Sequence, residues 1–192
     1  MQELKERIVK EGKVLPGNII KVDGFLNHRI DTGLLTRIAE EFGKYFNMDE
    51  VTMVLTAEAS GIALATAVAT YFHKPMIFAK KAKSDNIEGG LYQSDIYSYT
   101  YKKKVTLLVS KEWLSSDDKV LIIDDFMANG EAMRGLCDIV TAAGATLMGI
   151  GCAVEKGFQG GGDRLRAAGF NLKSLTIIES AEPGHIVFRD DD

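Results

Sequence analysis

The stretch VLIIDDFMANGEA, residues 120–132, joins four apolar residues to two adjacent aspartates and then to a short loop that contains Asn and Gly. The apolar run predicts a buried strand that ends at Asp124 and Asp125. Two neighbouring carboxylates repel each other, and desolvating one of them without a partner costs several kcal/mol. The pair is therefore expected to face water or to meet cationic or hydroxyl groups.

The residues after the aspartates predict a turn over 126–129 and a helix that begins near Gly130. The first amides of a helix lack internal partners and carry about half a positive charge. Small residues at that point let a phosphate approach the backbone closely. Carboxylates and a phosphate site side by side fit a ribose 5-phosphate, which has hydroxyls for one and a phosphate for the other. A structural helix cap with solvated aspartates is the alternative.

Other apolar runs alternate with helical patterns along the chain. VTMVL, KPMIFA, TLMGIGCAV and SLTII predict further strands, separated by segments with helical spacing. This alternation indicates an α/β protein whose mainly parallel sheet is covered by helices on both faces. Ligands bind such sheets beyond the carboxyl ends of the strands. Polar clusters follow the strands at residues 58–61, 124–132 and 155–158.

The segment between the second and third strands is too long for an ordinary connection in this class. Tyr97, Tyr99 and Tyr101 alternate with polar residues, which predicts a β-hairpin. Residues 81–95 are polar and rich in lysine, as expected of a mobile lid over an anionic ligand. A surface hairpin without a function is an equal alternative.

Composition excludes several classes of function. The 192 residues are 46% hydrophobic and 26% charged, which suits one ordinary globular domain. The formal net charge of -4 argues against a general nucleic-acid binder. No apolar segment has the length of a membrane span or the pattern of a signal peptide, so a cytoplasmic protein is expected. Cys137 and Cys152 are expected to be reduced thiols in the interior.

Competing phosphate motifs are absent or weak. No Gly-Lys-Ser/Thr triplet occurs, which excludes a Walker loop. GIGCAV lacks the third glycine of a dinucleotide fingerprint, and the three glycines at 160–162 are expected to form a flexible loop before the last helix. A receiver domain would place its acidic pair nearer the start of the chain.

The stretch 120–132 resembles the phosphoribosyl-pyrophosphate signature of the type I purine phosphoribosyltransferases, and the similarity extends over nearly the whole chain through the EASG turn at 58–61 and the long hairpin. The resemblance implies one domain over residues 1–192. It also implies a flexible β-hairpin lid over about 80–104 and a small hood, formed by about 1–30 and the C-terminal segment.

The resemblance also implies roles for individual residues. Asp124 and Asp125 would contact the ribose hydroxyls as the catalytic carboxylates. The 5-phosphate would be held by Ala128, Asn129, Gly130, Glu131 and Ala132. Pyrophosphate would be bound or covered by Ala59, Ser60, Gly61, Lys81, Tyr92 and Ser94. The base would be held by Ile20, Asn27 and Lys156, whose ammonium would donate to a purine 6-oxo group.

The implied substrates are xanthine, with guanine as a poorer base, and phosphoribosyl pyrophosphate. Mg²⁺ would arrive with the substrate and use no direct protein ligand, and the family's habit implies a homodimer. The chain departs from many family loops by carrying Asn129 and Ala132 where threonines are usual, so backbone amides must bind most of the phosphate. Ala128 replaces an acid of the hypoxanthine–guanine enzymes, and the Glu131 side chain is expected to point away from the phosphate.

Two alternatives stay open. The same fold serves as a transcription regulator that senses phosphoribosyl pyrophosphate without turnover, but such proteins usually carry a nucleic-acid-binding surface, for which the net charge gives no support. The other alternative is a transferase for a different 6-oxo purine, because Asn27 can donate or accept a hydrogen bond and therefore does not select the group at position 2. Adenine and orotate are disfavoured, because Lys156 suits a 6-oxo purine.

Overall fold

A computed structural model of the chain describes residues 1–81, 90–98 and 103–189. In chain order the elements are α1 (Gln2–Glu11), β1 (Lys13–Leu15), β2 (Ile19–Lys21), a π-helical turn (Asp23–Asn27), α2 (Thr32–Phe42), β3 (Met53–Ala57), α3 (Gly61–Tyr71), β4 (Met76–Ala79), β5 (Leu91–Ser98), β6 (Lys103–Ser110), β7 (Lys119–Met127), α4 (Glu131–Ala142), β8 (Thr146–Lys156), a 3₁₀ turn (Gly157–Gln159), α5 (Gly161–Ala167), β9 (Leu172–Glu182) and β10 (His185–Phe188).

The central sheet has six strands in the order β10-β9-β8-β7-β3-β4. Within this sheet the strands β4, β3, β7, β8 and β9 run parallel to one another, and β10 pairs antiparallel with β9 at one edge. The predicted α/β architecture with a mainly parallel sheet is confirmed, while β10 was not anticipated. The carboxyl ends of the parallel strands meet at one side of the sheet, where the predicted polar clusters lie within or directly after the strands.

Two apolar clusters cover the two faces of the sheet. One joins α2 and α3 to the hood, with Leu4, Ile8, Phe25 and Leu26 fully buried or nearly so. The other joins α4 to the sheet and to the hairpin. A strand buried on both faces must be apolar throughout, which explains why the run before Asp124 does not alternate.

The hairpin is confirmed: β5 and β6 pair antiparallel along their whole length. Tyr97 lies in β5, whereas Tyr99 and Tyr101 lie outside the described residues, as do residues 82–89 of the expected lid. The expected interior thiols are also confirmed, since Cys137 and Cys152 are buried and unpaired with each other. No helix in the described part of the chain is both long and apolar enough to cross a membrane.

Candidate active site

A cleft of about 500 Å³ opens where β7 and β8 end, between the hood on one side and the hairpin on the other. Most residues that the sequence singled out line this cleft. They are Ile20, Asn27, Ser60, Lys81, Asp124, Asp125, Ala128, Asn129, Gly130, Glu131, Ala132 and Lys156. Val22, Ile96, Tyr97, Val105, Phe126, Met127 and Met133 also line it, and sequence analysis did not assign them to the site. Ala59 lines an adjoining cavity with Ser60 and Lys81.

The loop over residues 128–132, the phosphate loop, connects β7 to the first turn of α4. Gly130 is the residue before α4, so the unpaired amides of the first helical turn belong to this loop. The Glu131 carboxylate forms an ion pair with the guanidinium of Arg134, with Oε2 and Nη2 3.3 Å apart. That pairing, with a guanidinium that also pairs with Asp138, reduces the repulsion between Glu131 and a phosphate beside the amides.

Helix α5 packs directly against the phosphate loop. A Cβ built on Gly161 would lie 2.3 Å from the carbonyl oxygen of Ala128, a distance that no side chain can occupy. Arg164 adds a hydrogen bond from Nη2 to the carbonyl oxygen of Asn129 at 3.0 Å. The expectation of a flexible glycine loop at 160–162 is wrong, because Gly161 and Gly162 belong to α5, where glycine permits this close packing.

Asp124 and Asp125 lie inside β7, and not at its end as predicted, since the strand continues to Met127. Both carboxylates are nearly sealed from water, with exposed fractions of 7% and 1%. Asp125 meets two donors: Ser60 Oγ donates to Oδ1 and Asn27 Nδ2 donates to Oδ2, each at 2.8 Å. The expectation of hydroxyl partners thus holds for Asp125, although no cation pairs with it among the described residues.

Asp124 has a less favourable environment than Asp125. Its Oδ1 accepts a hydrogen bond from the backbone N of Asp125 at 3.0 Å. Burial, and next the charge of Asp125, raise the pKa of the Asp124 carboxyl well above its usual range. Its side chain also packs against Gly61, where a Cβ would lie 2.3 Å from Oδ1. Strand β7 therefore carries a carboxyl that resists ionisation beside one held by two donors.

The EASG turn over residues 58–61 lies between β3 and α3, next to the carboxylates. The peptide bond between Glu58 and Ala59 is cis. The backbone N of Lys81 donates to Glu58 Oε1 at 2.6 Å, which fixes the end of β4 against the turn. Ser60 and Lys81 both line the cleft, and the Ser60 hydroxyl bonds to the carboxylate pair through Asp125.

The structure does not bring two of the predicted lid residues to the cleft. Ser94 Oγ donates to Asp138 Oδ2 of α4 at 2.8 Å, and its side chain is buried. The Tyr92 ring lies under the ammonium of Lys111, 5.1 Å from the ring centroid. In this arrangement β5 reaches the cleft through Ile96 and Tyr97, which follow Ser94 by two and three residues.

The other end of the cleft combines apolar surface with one ammonium. Lys156 Nζ lies 5.6 Å from the ring centroid of Phe126 and 3.5 Å from the carbonyl oxygen of Asn18 in the hood. Burial lowers the pKa of the Lys156 ammonium, because a charge is costly to desolvate. Ile20 completes the wall from the hood. Sequence analysis did not predict that Phe126 lines the cleft. An aromatic residue directly after two acids in a buried strand could have indicated it.

The polar cluster at 155–158 contains a buried ion pair next to Lys156. Glu155 is fully buried, and its carboxylate receives Arg166 Nη2 at 2.6 Å and Nη1 at 3.1 Å. The Ser174 hydroxyl donates to the same carboxylate. These bonds tie the end of β8 to α5 and β9, so Glu155 stabilises the strand that presents Lys156 to the cleft.

Comparison with known proteins identifies the type of domain. The model of the phosphoribosyl transferase domain matches residues 28–175. A xanthine phosphoribosyltransferase of Lachnoclostridium phytofermentans is 51% identical, with all of both chains covered. One of Bifidobacterium longum is 52% identical over 98% of this chain and all of the relative.

Solved structures support the same fold. The adenine phosphoribosyltransferase of Giardia lamblia, complexed with 9-deazaadenine, superposes with a TM-score of 0.77 at 20% identity, covering 93% of this chain and 98% of that one. The Saccharomyces cerevisiae enzyme gives a TM-score of 0.74 at 18% identity, covering 91% and 97%. At such identities these structures support the arrangement of the backbone, and the base that they bind is a property of those proteins.

Proposed function

The chain belongs to the phosphoribosyltransferase family, and from that premise we propose that it is a xanthine phosphoribosyltransferase of purine salvage. It transfers the 5-phosphoribosyl group of phosphoribosyl pyrophosphate to N9 of xanthine, giving XMP and pyrophosphate. Relatives that are 51% and 52% identical over essentially the whole chain carry that name. Guanine is the poorer alternative base in this proposal.

The observation that carries the proposal is one cleft lined by a phosphate loop, a carboxylate pair and a half-buried lysine. The backbone amides of residues 128–132 would bind the 5-phosphate, because a helix begins there and its first amides are unpaired. Asp124 and Asp125 would accept hydrogen bonds from the ribose hydroxyls. The carboxylates and the loop follow each other along the chain and line the same cleft, so one sugar phosphate would contact both.

The reaction breaks the bond between C1 of the ribose and a pyrophosphate oxygen and forms the bond from C1 to N9. The N9 proton is released to solvent. Positive charge develops on the ribose ring in the transition state, and the Asp125 carboxylate beside it would stabilise that charge. Ser60, Lys81 and the amides of the EASG turn would hold the departing pyrophosphate. In this proposal Tyr92 and Ser94 contribute only if the hairpin shifts from its contacts with Lys111 and Asp138.

In this proposal Mg²⁺ is carried into the cleft by the substrate. The described residues contain no cluster of three or more His, Cys, Asp or Glu side chains that could form a protein cage. Mg²⁺ usually keeps several waters and binds through one or two carboxylates together with substrate phosphates. When bound, it would neutralise charge on the pyrophosphate leaving group, and the carboxylates that the cleft could offer it are Asp124 and Asp125.

At the base end, the Lys156 ammonium would donate to the 6-oxo group of the purine. Phe126 and Ile20 would offer apolar surface against which a purine ring can pack. Asn27 would contact the opposite edge of the base. The proposal also includes a homodimer, from the family's habit, and a cytoplasmic location, from the sequence.

The direct test incubates the protein with phosphoribosyl pyrophosphate, Mg²⁺ and one base at a time, and measures nucleotide by chromatography. We expect XMP as the main product, a smaller yield of GMP and almost no AMP. Asp124→Asn/Asp125→Asn should retain the fold, by circular dichroism, and lose turnover. Binding of phosphoribosyl pyrophosphate without nucleotide formation from any base would instead favour the regulator. Efficient turnover of another 6-oxo purine with no XMP would favour the second alternative.

A further inference from the structure

Three parts of the cleft share one carboxylate. Asp125 on β7 accepts one hydrogen bond from Ser60 of the EASG turn and one from Asn27 of the hood, both at 2.8 Å. Its exposed fraction is 1%. By the proposed function, on which this inference rests, these residues belong to the ribose, pyrophosphate and base sites respectively. The three sites therefore meet at Asp125 before any substrate arrives.

A ribose hydroxyl has almost no open approach to Asp125 while both donors stay in place, because only 1% of its surface is exposed. The carboxylate oxygens keep further acceptor capacity beside their present donors, so the obstacle is access. Both donors border open parts of the cleft: Ser60 is exposed in the turn between β3 and α3, and Asn27 is half-buried at the end of the π-helical turn. By the proposed function the Asn27 amide has a second partner, the edge of the base. Asn27 is therefore the donor that would leave.

We propose that Asn27 is a latch between the sugar site and the base site. In the free enzyme the Asn27 amide is bonded to Asp125, so neither group is available to a substrate. When the ribose hydroxyls take over Asp125, the Asn27 amide is released and turns to the base. Sugar binding then creates a hydrogen-bond donor in the base site, which makes Asn27 a positioning residue for the order of binding as well as a contact for the purine.

The latch makes a prediction that an ordinary base contact does not. Phosphoribosyl pyrophosphate must break the bond between Asn27 and Asp125 in order to bind, even when no base is present. Asn27→Leu keeps the side-chain size but removes the donor. We therefore expect it to bind phosphoribosyl pyrophosphate about threefold to tenfold more tightly, the range for one net hydrogen bond. Asn27→Ala should shift the affinity in the same direction.

The measurement is isothermal titration of the purified protein with phosphoribosyl pyrophosphate and Mg²⁺ in the absence of any base, so that no turnover occurs. His28→Ala changes the neighbouring exposed residue of the hood and should leave the affinity unchanged. Loss of xanthine turnover in the Asn27 variants is expected in any case. Unchanged or weaker binding of phosphoribosyl pyrophosphate in both variants would overturn the latch alone. Absence of binding to the wild type would overturn the proposed function, and the latch with it.

Discussion

Gly161, at the start of α5, lies against the carbonyl group of Ala128 so closely that a Cβ on the glycine would come within 2.3 Å of the carbonyl oxygen. The same Cβ would lie 2.5 Å from the carbonyl carbon of Asn129 and 2.6 Å from the backbone N of Gly130. Backbone atoms of three successive residues in the phosphate loop therefore pack against Gly161. Backbone atoms cannot rotate aside as a flexible side chain can, so α5 sets the position of the loop amides.

Gly161→Ala should weaken the binding of phosphoribosyl pyrophosphate by about tenfold or more, because overpacking shifts backbone at a cost of about 1–3 kcal/mol. Titration with phosphoribosyl pyrophosphate and Mg²⁺ measures the effect. Gly24→Ala is the matched control, because a Cβ on Gly24 has nothing within 4 Å. Equal affinity of the two variants would show that the contact does not position the loop.

Asp124→Asn should lower turnover and raise thermal stability. The folded state disfavours the ionised carboxyl, so its raised pKa costs wild-type stability as the pH rises above the ordinary value for aspartate, near 3.8, toward the folded-state pKa. Asparagine keeps the acceptor oxygen without this penalty. The melting temperature of the variant should therefore exceed that of the wild type at pH 8 by at least about 2 °C, a shift of roughly 1 kcal/mol.

The pH dependence provides the check on Asp124. Melting curves from pH 5 to pH 8 should show the melting temperature of the variant rising relative to that of the wild type. The reason is that unfolding of the wild type releases the proton of Asp124 more favourably at higher pH, whereas the variant has no proton at this position. Asp49→Asn replaces an exposed aspartate outside the cleft and is the matched control. A wild type that remains the more stable protein at pH 8 would contradict the account of the Asp124 environment.

Lys156→Met should reduce kcat/KM for xanthine by about tenfold or more, since it removes a charged donor, while the Kd of phosphoribosyl pyrophosphate stays within about twofold. Methionine retains an unbranched stem beside Phe126, so packing changes little. Lys173→Met is a suitable control, because its ammonium lies over Tyr45, which does not line the cleft. Parallel losses for both substrates would refute the assignment of Lys156 to the base.

Arg166→Leu should destabilise the protein by about 3–5 kcal/mol, since it leaves the buried Glu155 carboxylate without its cation. A melting temperature lower by about 10 °C is the expected readout. Adding Glu155→Gln should restore part of this loss, because the uncompensated charge is then gone. A double variant no more stable than Arg166→Leu would mean that the cost comes from lost packing of the guanidinium.

Sequence patterns predicted the parts of the site that are formed by residues adjacent in the chain. The apolar strand, the acidic pair and the small-residue loop are consecutive, so their order in the chain fixes their proximity in the structure. Lys156 was also predictable, because carboxyl ends of parallel strands meet at one edge. The resemblance to a family supplied the assignment to specific substrates, which residue chemistry alone did not give.

Contacts between distant segments could not be predicted in the same way. Nothing in the spacing of Asn27 and Asp125 indicates that they bond, because they are separated by 98 positions. The glycines at 160–162 were interpreted by their local flexibility, whereas their role in α5 is set by the loop packed against them. Ser94 shows the same limit, since its partner Asp138 lies on another element.

The hood shares its interior with the rest of the protein. Leu4 and Ile8 of α1 belong to the same apolar cluster as residues of α2, α3 and the central sheet. The family model begins at residue 28, so the segment that supplies Ile20 and Asn27 precedes the common part of the family. Because α1 packs in that shared cluster, this segment cannot be exchanged without changing the interior of the protein. A graft of residues 1–27 from a relative would also have to import matching interior residues from the rest of the chain, because Leu4, Ile8 and Ile20 pack in that shared cluster.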